Sequence, residues 1–407
     1  MKSYKFNKNI LIISDSYVPQ KISAAGMIYN LSQEILARKI NVTCAFSGKM
    51  SKEIIREYNL NNINLVNTTI FCEFRDRSVI FRFIFEFSTA IVLAIKCYFY
   101  FKKKKDLDLI IWYGPSSFLW FVVKTINFSK KIPVYYILRD IFPDWLISLK
   151  IIKNPLIIWF LNKLSFTQYT VSDVIGVEAF ENIDYLNKKV KLKKIEYLPN
   201  WPNIVLSRDN KIDDFVKYDF NNSVKLAHKS HTIKLVYTGN TSLAHDYKST
   251  IEFLNKIYKL YKLQINLFSK LPKFSIANNN QIEQKYWGLV QDYNLPYIFS
   301  KMDCGVVSLN RFSKTNNIPG KFVSYTQFGL PIICFARINS SLAKLIINYD
   351  CGIVIDLSQK HKKNIINFSY FLYNFNKNKK YYSQNSKKLF FENYDTKFIA
   401  NKILKVL

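Results

Sequence analysis

At 407 residues the chain exceeds what one hydrophobic core normally fills, so its length predicts two domains. Apolar residues make up 49% of it and aromatic ones 16%, which excludes a disordered or low-complexity chain. The formal charge of +30 points to anionic lipid or phosphorylated ligands; with Lys outnumbering Arg 50 to 9, bidentate base readout is disfavoured and nucleic acid is not expected as a partner.

The chain opens with an apolar stretch, 10–14, then a loop, 15–25, that carries Pro19 and small residues. Met27, Ile28, Leu31 and Ile35 recur at helical spacing, and 42–46 supplies the next strand. This is a βαβ unit, whose strands are parallel and whose ligands sit beyond the strands' carboxyl ends. Residues 1–8 are polar and 9–14 are too short for the apolar core of a signal peptide, so none is expected. Further strands are predicted at 107–113, ending at Gly114-Pro115; at 134–138, ending at Arg139-Asp140; and at 174–177, ending at Glu178. The most hydrophobic stretch, 79–101, is interrupted by Arg82, Glu86 and Lys96 and is read as a helix, not a membrane span. Lys102 to Lys105 give it a basic end suited to an anionic cytoplasmic leaflet; an internal helix with a solvated charge run fits the same residues.

After Leu198-Pro199-Asn200-Trp201-Pro202 a polar stretch, 207–231, marks a linker. A second alternating series follows, with strands predicted at 234–238, 265–268, 304–309, 330–335 and 352–355. Phe398, Ile399, Ile403, Leu404 and Leu407 form a final amphipathic helix. The domains are therefore placed at 1–205 and 206–390, with a terminal helical segment at 391–407. The six cysteines contain no CxxC pair and several lie in strand-like runs, as in a reducing, cytoplasmic compartment. His228 and His231 lack the partners of a zinc site, so no metal is expected.

No GxGxxG follows the first strand, which argues against a dehydrogenase. In the second domain, Tyr237-Thr238-Gly239-Asn240 closes a strand ahead of a helix, where backbone amides and the helix start receive phosphate. Thr315-Asn316-Asn317-Ile318-Pro319-Gly320-Lys321-Phe322 places Pro319 at a helix start and Lys321 in its first turn. A cation there opposes the helix dipole by roughly 0.3–1 kcal/mol unless an anion binds beside it. Lys321 is therefore read as phosphate-facing.

The motifs Leu138-Arg139-Asp140-Ile141-Phe142-Pro143-Asp144-Trp145, Asp173-Val174-Ile175-Gly176-Val177, Asn200-Trp201, Tyr237-Thr238-Gly239-Asn240 and Asn316-Asn317-Ile318-Pro319-Gly320-Lys321 stand in the order seen in retaining glycosyltransferases of family 4. The chain resembles most the branch of fucosamine transferases of bacterial O-antigen and capsule synthesis. The resemblance spans nearly the whole chain and implies the GT-B fold: two Rossmann-like domains with parallel sheets facing across a cleft, the C-terminal helix returning to the first domain. It implies a nucleotide-sugar donor, a UDP-linked N-acetylated hexosamine, with no tightly bound cofactor. It also implies a lipid-linked saccharide acceptor at the inner membrane, which the basic balance and the apolar 79–101 region suit. On this reading Gly239, Asn240, His245, Asn316, Asn317, Pro319, Gly320, Lys321 and Ser324 bind the donor; Asp140, Arg139 and Lys321 are catalytic; and Ser23, Ala24, Ala25 and Gly26 form an acceptor-side loop. Asp140 orients or deprotonates the acceptor hydroxyl, and Arg139 tunes it or binds an acceptor phosphate.

The chain also departs from the family pattern. Two Glu eight positions apart in many relatives correspond to Asn316 and Ser324, so the usual ribose carboxylate is missing. An Arg and a Lys that grip the donor diphosphate correspond to Asn240 and His245, the His before the Asp to Arg139, and a Gly-Gly loop to Ala25-Gly26. Two other classes remain open: a nucleotide-sugar epimerase of the same fold, and a non-enzymatic basic protein that binds membrane or nucleic acid.

Overall fold

The computed structural model describes residues 8–20, 22–69, 79–103, 107–114, 116–128, 131–144, 147, 152–190, 193–204, 212–229, 232–239, 241, 245–258, 260–269, 282–310, 318–359 and 361–407. The chain divides into two compact units, Met1–Asn203 with Thr396–Leu407, and Ile204–Asp395. From the sequence these divisions are expected at 205 and 390.

The first unit runs β1 (Asn9–Ile13), α1 (Ser23–Ala37), β2 (Asn41–Ser47), α2 (Lys52–Glu57), β3 (Asn64–Thr68), α3 (Val79–Lys103), β4 (Leu109–Tyr113), α4 (Trp120–Asn127), β5 (Val134–Leu138), α5 (Pro155–Thr170), β6 (Val174–Val177), α6 (Phe180–Lys189) and β7 (Lys194–Tyr197). Its seven strands are all parallel, in the order β3-β2-β1-β4-β5-β6-β7. Central strands such as LIIWY of β4 and VYYIL of β5 are buried throughout, as a parallel sheet covered on both faces requires. The edge strands β3 and β7 read NLVNT and KIEY, are only partly buried, and were not predicted. Along α3, Ala90, Leu93, Ala94, Cys97 and Phe101 recur at helical spacing and are buried in the core, so one face of this apolar helix packs on the sheet. Asn154 caps α5, its Oδ1 accepting from the amides of Leu156 at 2.9 Å and Ile157 at 3.3 Å, with Pro155 at the first helical position.

The second unit runs α7 (Asn221–Lys229), β8 (Ile233–Thr238), α8 (Tyr247–Tyr258), β9 (Leu263–Phe268), β10 (Glu283–Tyr286), α9 (Leu295–Ser300), β11 (Cys304–Ser308), α10 (Gly320–Gln327), β12 (Ile332–Phe335), α11 (Ser341–Tyr349), β13 (Gly352–Ile355) and α12 (His361–Asn393). Six parallel strands take the order β10-β9-β8-β11-β12-β13, the arrangement of a dinucleotide-binding sheet. The final helix, α13 (Thr396–Leu404), belongs to the first unit and packs on α1. Arg38 fixes it there, donating to Asn401 Oδ1 at 2.6 Å and to the Lys397 carbonyl at 2.9 Å.

One local reading needs correction. The segment 15–25, expected as a loop, is already helical from Ser23, so Ser23 to Gly26 form the first turn of α1. Apolar spacing begins only at Met27, because small residues ahead of it carry no periodic signal.

Candidate functional site

In a doubly wound sheet the strand order reverses at one point, and a crevice opens beyond the carboxyl ends of the two strands that flank it. In the second unit those strands are β8 and β11. Gly239, just after β8, adopts φ +82°, a left-handed turn that suits glycine and swings the backbone off the sheet end. Tyr325 of α10 fastens that helix to β8: its hydroxyl accepts from the Thr238 amide at 2.8 Å and donates to the Val236 carbonyl at 3.3 Å. Gly305 on β11 leaves the room its ring needs.

Lys321 lies one turn before Tyr325 on the same face of α10. Its ammonium is buried, has no hydrogen-bond partner among the described residues, and stands 3.5 Å from the centre of the Tyr237 ring. Burial lowers its pKa far below the ordinary lysine range. A Cβ at Gly239 would lie 4.0 Å from Lys321 Cε, so ammonium stem and glycine backbone are neighbours. His245 joins them, its Nδ1 3.3 Å from the Ser308 carbonyl. Burial, then the charge of Lys321, push the imidazole down to about 4, against the opposing pull of that carbonyl. The ring is therefore neutral near pH 7, with its proton on Nδ1. A buried cation, a left-handed glycine and the uncapped start of α10 together suit an anionic group such as a diphosphate.

In the first unit the order reverses between β1 and β4. Tyr113 ends β4, and its buried hydroxyl reports what surrounds it. Burial raises its pKa most, Arg139 draws it down, and Glu178, Asp15 and Asp140 push it up. Residues at the carboxyl ends of β1, β4, β5 and β6 thus converge on one locus. Asp140 is solvent-accessible, yet crowding around its carboxyl raises its pKa, and the adjacent Arg139 opposes that rise. Arg139 is buried: Nη1 donates to the Leu198 carbonyl at 3.0 Å, Nη2 to that of Pro199 at 3.5 Å, and the guanidinium lies 4.7 Å from the Trp201 ring. Trp201 in turn donates from Nε1 to the Met27 carbonyl at 2.6 Å. A neighbouring groove of about 660 Å³ is lined by Phe142, Asp144, Trp159, Lys163, Phe166 and Lys189.

No protein-family model and no curated protein matches the sequence. Solved structures do match, over essentially the whole chain. The N-terminal domain of Candida albicans trehalose-6-phosphate phosphatase is 11% identical with a TM-score of 0.67, covering 99% of this chain and 97% of that one. The α,α-trehalose 6-phosphate synthase of Burkholderia multivorans is 10% identical with a TM-score of 0.63, covering 98% of each. WaaG, a glycosyltransferase involved in lipopolysaccharide biosynthesis, is 12% identical with a TM-score of 0.61, covering 98% of this chain and 99% of that one. The chain has the GT-B fold.

Within this GT-B chain, Gly239, His245, Pro319, Gly320, Lys321 and Ser324 all belong to the second unit's β8 and α10 region. Ser324 is buried, and its hydroxyl donates to the Gly320 carbonyl at 3.2 Å, back into its own helix. Asn240, Asn316 and Asn317 lie outside the described residues, as do His231 and Lys104-Lys105. Asp140 and Arg139 belong to the first unit, where the guanidinium is engaged by carbonyls and rings and is not held out toward solvent. Gly26 does not leave open space for a ligand: a Cβ there would collide with the Asn203 carbonyl oxygen, so its smallness serves packing. Among the described residues no group of three or more His, Cys, Asp or Glu is arranged to hold a metal ion.

Sequence reasoning missed Tyr113 and Tyr325 and gave Trp201 no role. Trp201 had a signal, since Asn200-Trp201 is one of the ordered motifs, but its partner Met27 is remote in sequence. Tyr113 had only its place at a strand end.

Proposed function

We propose that this chain is a glycosyltransferase that takes a sugar from a nucleotide donor, and that the second unit binds that donor. The observation that carries the reading is the Lys321 ammonium, buried without a hydrogen-bond partner among the described residues, beside left-handed Gly239 at the reversal point of the second sheet. A buried cation of this kind gains most from an anion, and a departing diphosphate offers one as its charge develops. The amides at Gly239 and at the start of α10 supply further donors.

In the proposed reaction the bond between the sugar's anomeric carbon and the diphosphate oxygen breaks, the electron pair leaving with the nucleoside diphosphate. The acceptor hydroxyl oxygen forms the new bond on the same face, with retention, and its proton passes to Asp140 or to the leaving diphosphate. Arg139 acts as a positioning residue: it holds the 198–201 segment and restrains the rise in the Asp140 pKa. The motif resemblance favours a UDP-linked N-acetylated amino sugar as donor. It also favours a lipid-linked saccharide acceptor in surface polysaccharide synthesis, O-antigen or capsule, at the cytoplasmic face of the membrane, and the structural likeness to WaaG is compatible with this.

The test is mass spectrometry of products from a panel of nucleotide sugars, with and without lipid-linked saccharides. Transfer to the lipid-linked acceptor, lost in Lys321→Ala and Asp140→Ala, is expected. Conversion of a donor alone to its epimer would replace this reading with an epimerase, and unchanged turnover in both variants would remove these residues from the mechanism.

A further inference from the structure

One face of α3 is in the core, and the opposite face is as apolar yet uncovered. Phe83, Ile84 and Phe87 are exposed near its start, and Phe99, near its end, is 61% exposed. Residues Phe83–Lys102 are long and apolar enough, by length and composition, to cross a membrane, but the buried face of α3 belongs to the first unit's core, so the helix lies along that unit. Its exposed face continues onto α5. The Phe83 ring packs edge-on against Phe118 at 4.7 Å and lies 6.3 Å from Phe160. On α5, Leu156 is 77% and Trp159 62% exposed.

On α5 the charge of this face is of one sign, and the one acid of α3, Glu86, is half-buried and engaged in an interaction. The α5 sequence PLIIWFLNKLSFTQYT holds no acid, and its single charged residue, Lys163, reaches over the Trp159 ring at 5.2 Å. Exposed Lys96, Lys102, Lys124 and Lys153 stand on or beside the same helices. Aromatic side chains among lysines suit the boundary between acyl chains and anionic headgroups, where indole and phenyl rings bury and ammonium groups meet phosphate. A second copy of the same face would set lysines against lysines.

We infer that the α3–α5 face of the first unit docks on an anionic lipid bilayer, with Leu156, Trp159 and Phe160 entering the interface and Lys153 and Lys163 meeting lipid phosphates. This deepens the membrane part of the function proposed above and rests on it. The groove beside Phe142 shares Trp159 and Lys163 with this face, so a bilayer-borne ligand would meet the Asp140 loop from the membrane side.

The test is flotation of the full chain with vesicles of phosphatidylglycerol and phosphatidylethanolamine, against phosphatidylcholine alone. The wild type is expected to float with the anionic vesicles and to be released progressively by salt. The double variant Trp159→Ser, Phe160→Ser alters exposed side chains; its partition coefficient is expected to fall about tenfold or more, with its circular dichroism and its UDP binding unchanged. Lys153→Glu, Lys163→Glu is expected to lose binding mainly to the anionic vesicles. Fluorescence quenching by brominated lipid is expected in the wild type and weaker in Trp159→Phe. No flotation, flotation indifferent to both double variants, or a concentration-dependent dimer abolished by the serine variant would each overturn the inference. Failure to bind any nucleotide sugar while flotation persists would instead count against the transferase reading alone.

Discussion

Replacing Lys321 by Met tests the donor site and separates a functional cation from a structural one. Without ligand, the unpartnered ammonium costs about 1–3 kcal/mol, and the Tyr237 ring 3.5 Å away returns about 0.5–2 kcal/mol. Methionine fills a similar volume with no charge, so the variant is expected to be as stable as the wild type or up to about 2 kcal/mol more stable. Donor binding should move the opposite way: loss of one charge-assisted contact to the diphosphate removes about 1.5–3 kcal/mol, a weakening of UDP affinity of about 10- to 150-fold. The pH dependence has a definite sign. The folded pKa of Lys321 is depressed, so between it and the ordinary lysine value the unfolded chain binds more protons, and wild-type stability rises with pH across that window. The variant lacks that rise. Unchanged UDP affinity together with a lower melting temperature would refute the argument and make Lys321 a structural residue.

Three further outcomes follow from the geometry. Gly26→Ala should force the Asn203 carbonyl to move and cost about 1–3 kcal/mol or more, seen as a lower melting temperature with UDP affinity retained; an unperturbed melt would contradict the packing role. Arg139→Met removes the group that restrains the Asp140 pKa, so the acid limb of the kcat/KM profile should move to higher pH, and a fixed limb would exclude Asp140 as the titrating group. His245 is held at about 4 in the fold against 6.5 ordinarily, so the unfolded chain takes up its proton first. Stability should fall as pH drops from about 6.5 to about 4, measured by urea midpoints, and less so in His245→Gln; because Lys321 contributes to the shift, Lys321→Met should raise the His245 pKa in an NMR titration.

What could be read in the sequence follows burial. Strands buried on both faces, such as LIIWY and VYYIL, announce themselves as apolar runs, whereas β3, β7 and β10 read NLVNT, KIEY and EQKY and resemble loops. All three are sheet edges, where one side of the strand lacks a neighbour and polar side chains carry no penalty. Lys321 was legible as a lysine in a first helical turn. Its burial over Tyr237 was not, because that depends on Tyr325 tying α10 to β8, a contact 87 residues apart in sequence. Arg139 shows the opposite case: its position beside Asp140 suggests a group that tunes the acid or binds an acceptor phosphate, but the carbonyls that engage it come from the distant segment at Leu198 and Pro199.

The return of α13 to the first unit makes the second unit an insertion within the first, entered after Asn203 and left after Asp395. The two units therefore differ under dissection. A fragment comprising 204–395 excises one contiguous body, but a fragment ending at 203 amputates the helix that Arg38 holds and bares the surface that Ile399, Ala400 and Ile403 cover. A chain shortened by its last dozen residues would accordingly show its defect in the first unit, at the opposite end of the sequence from the cut.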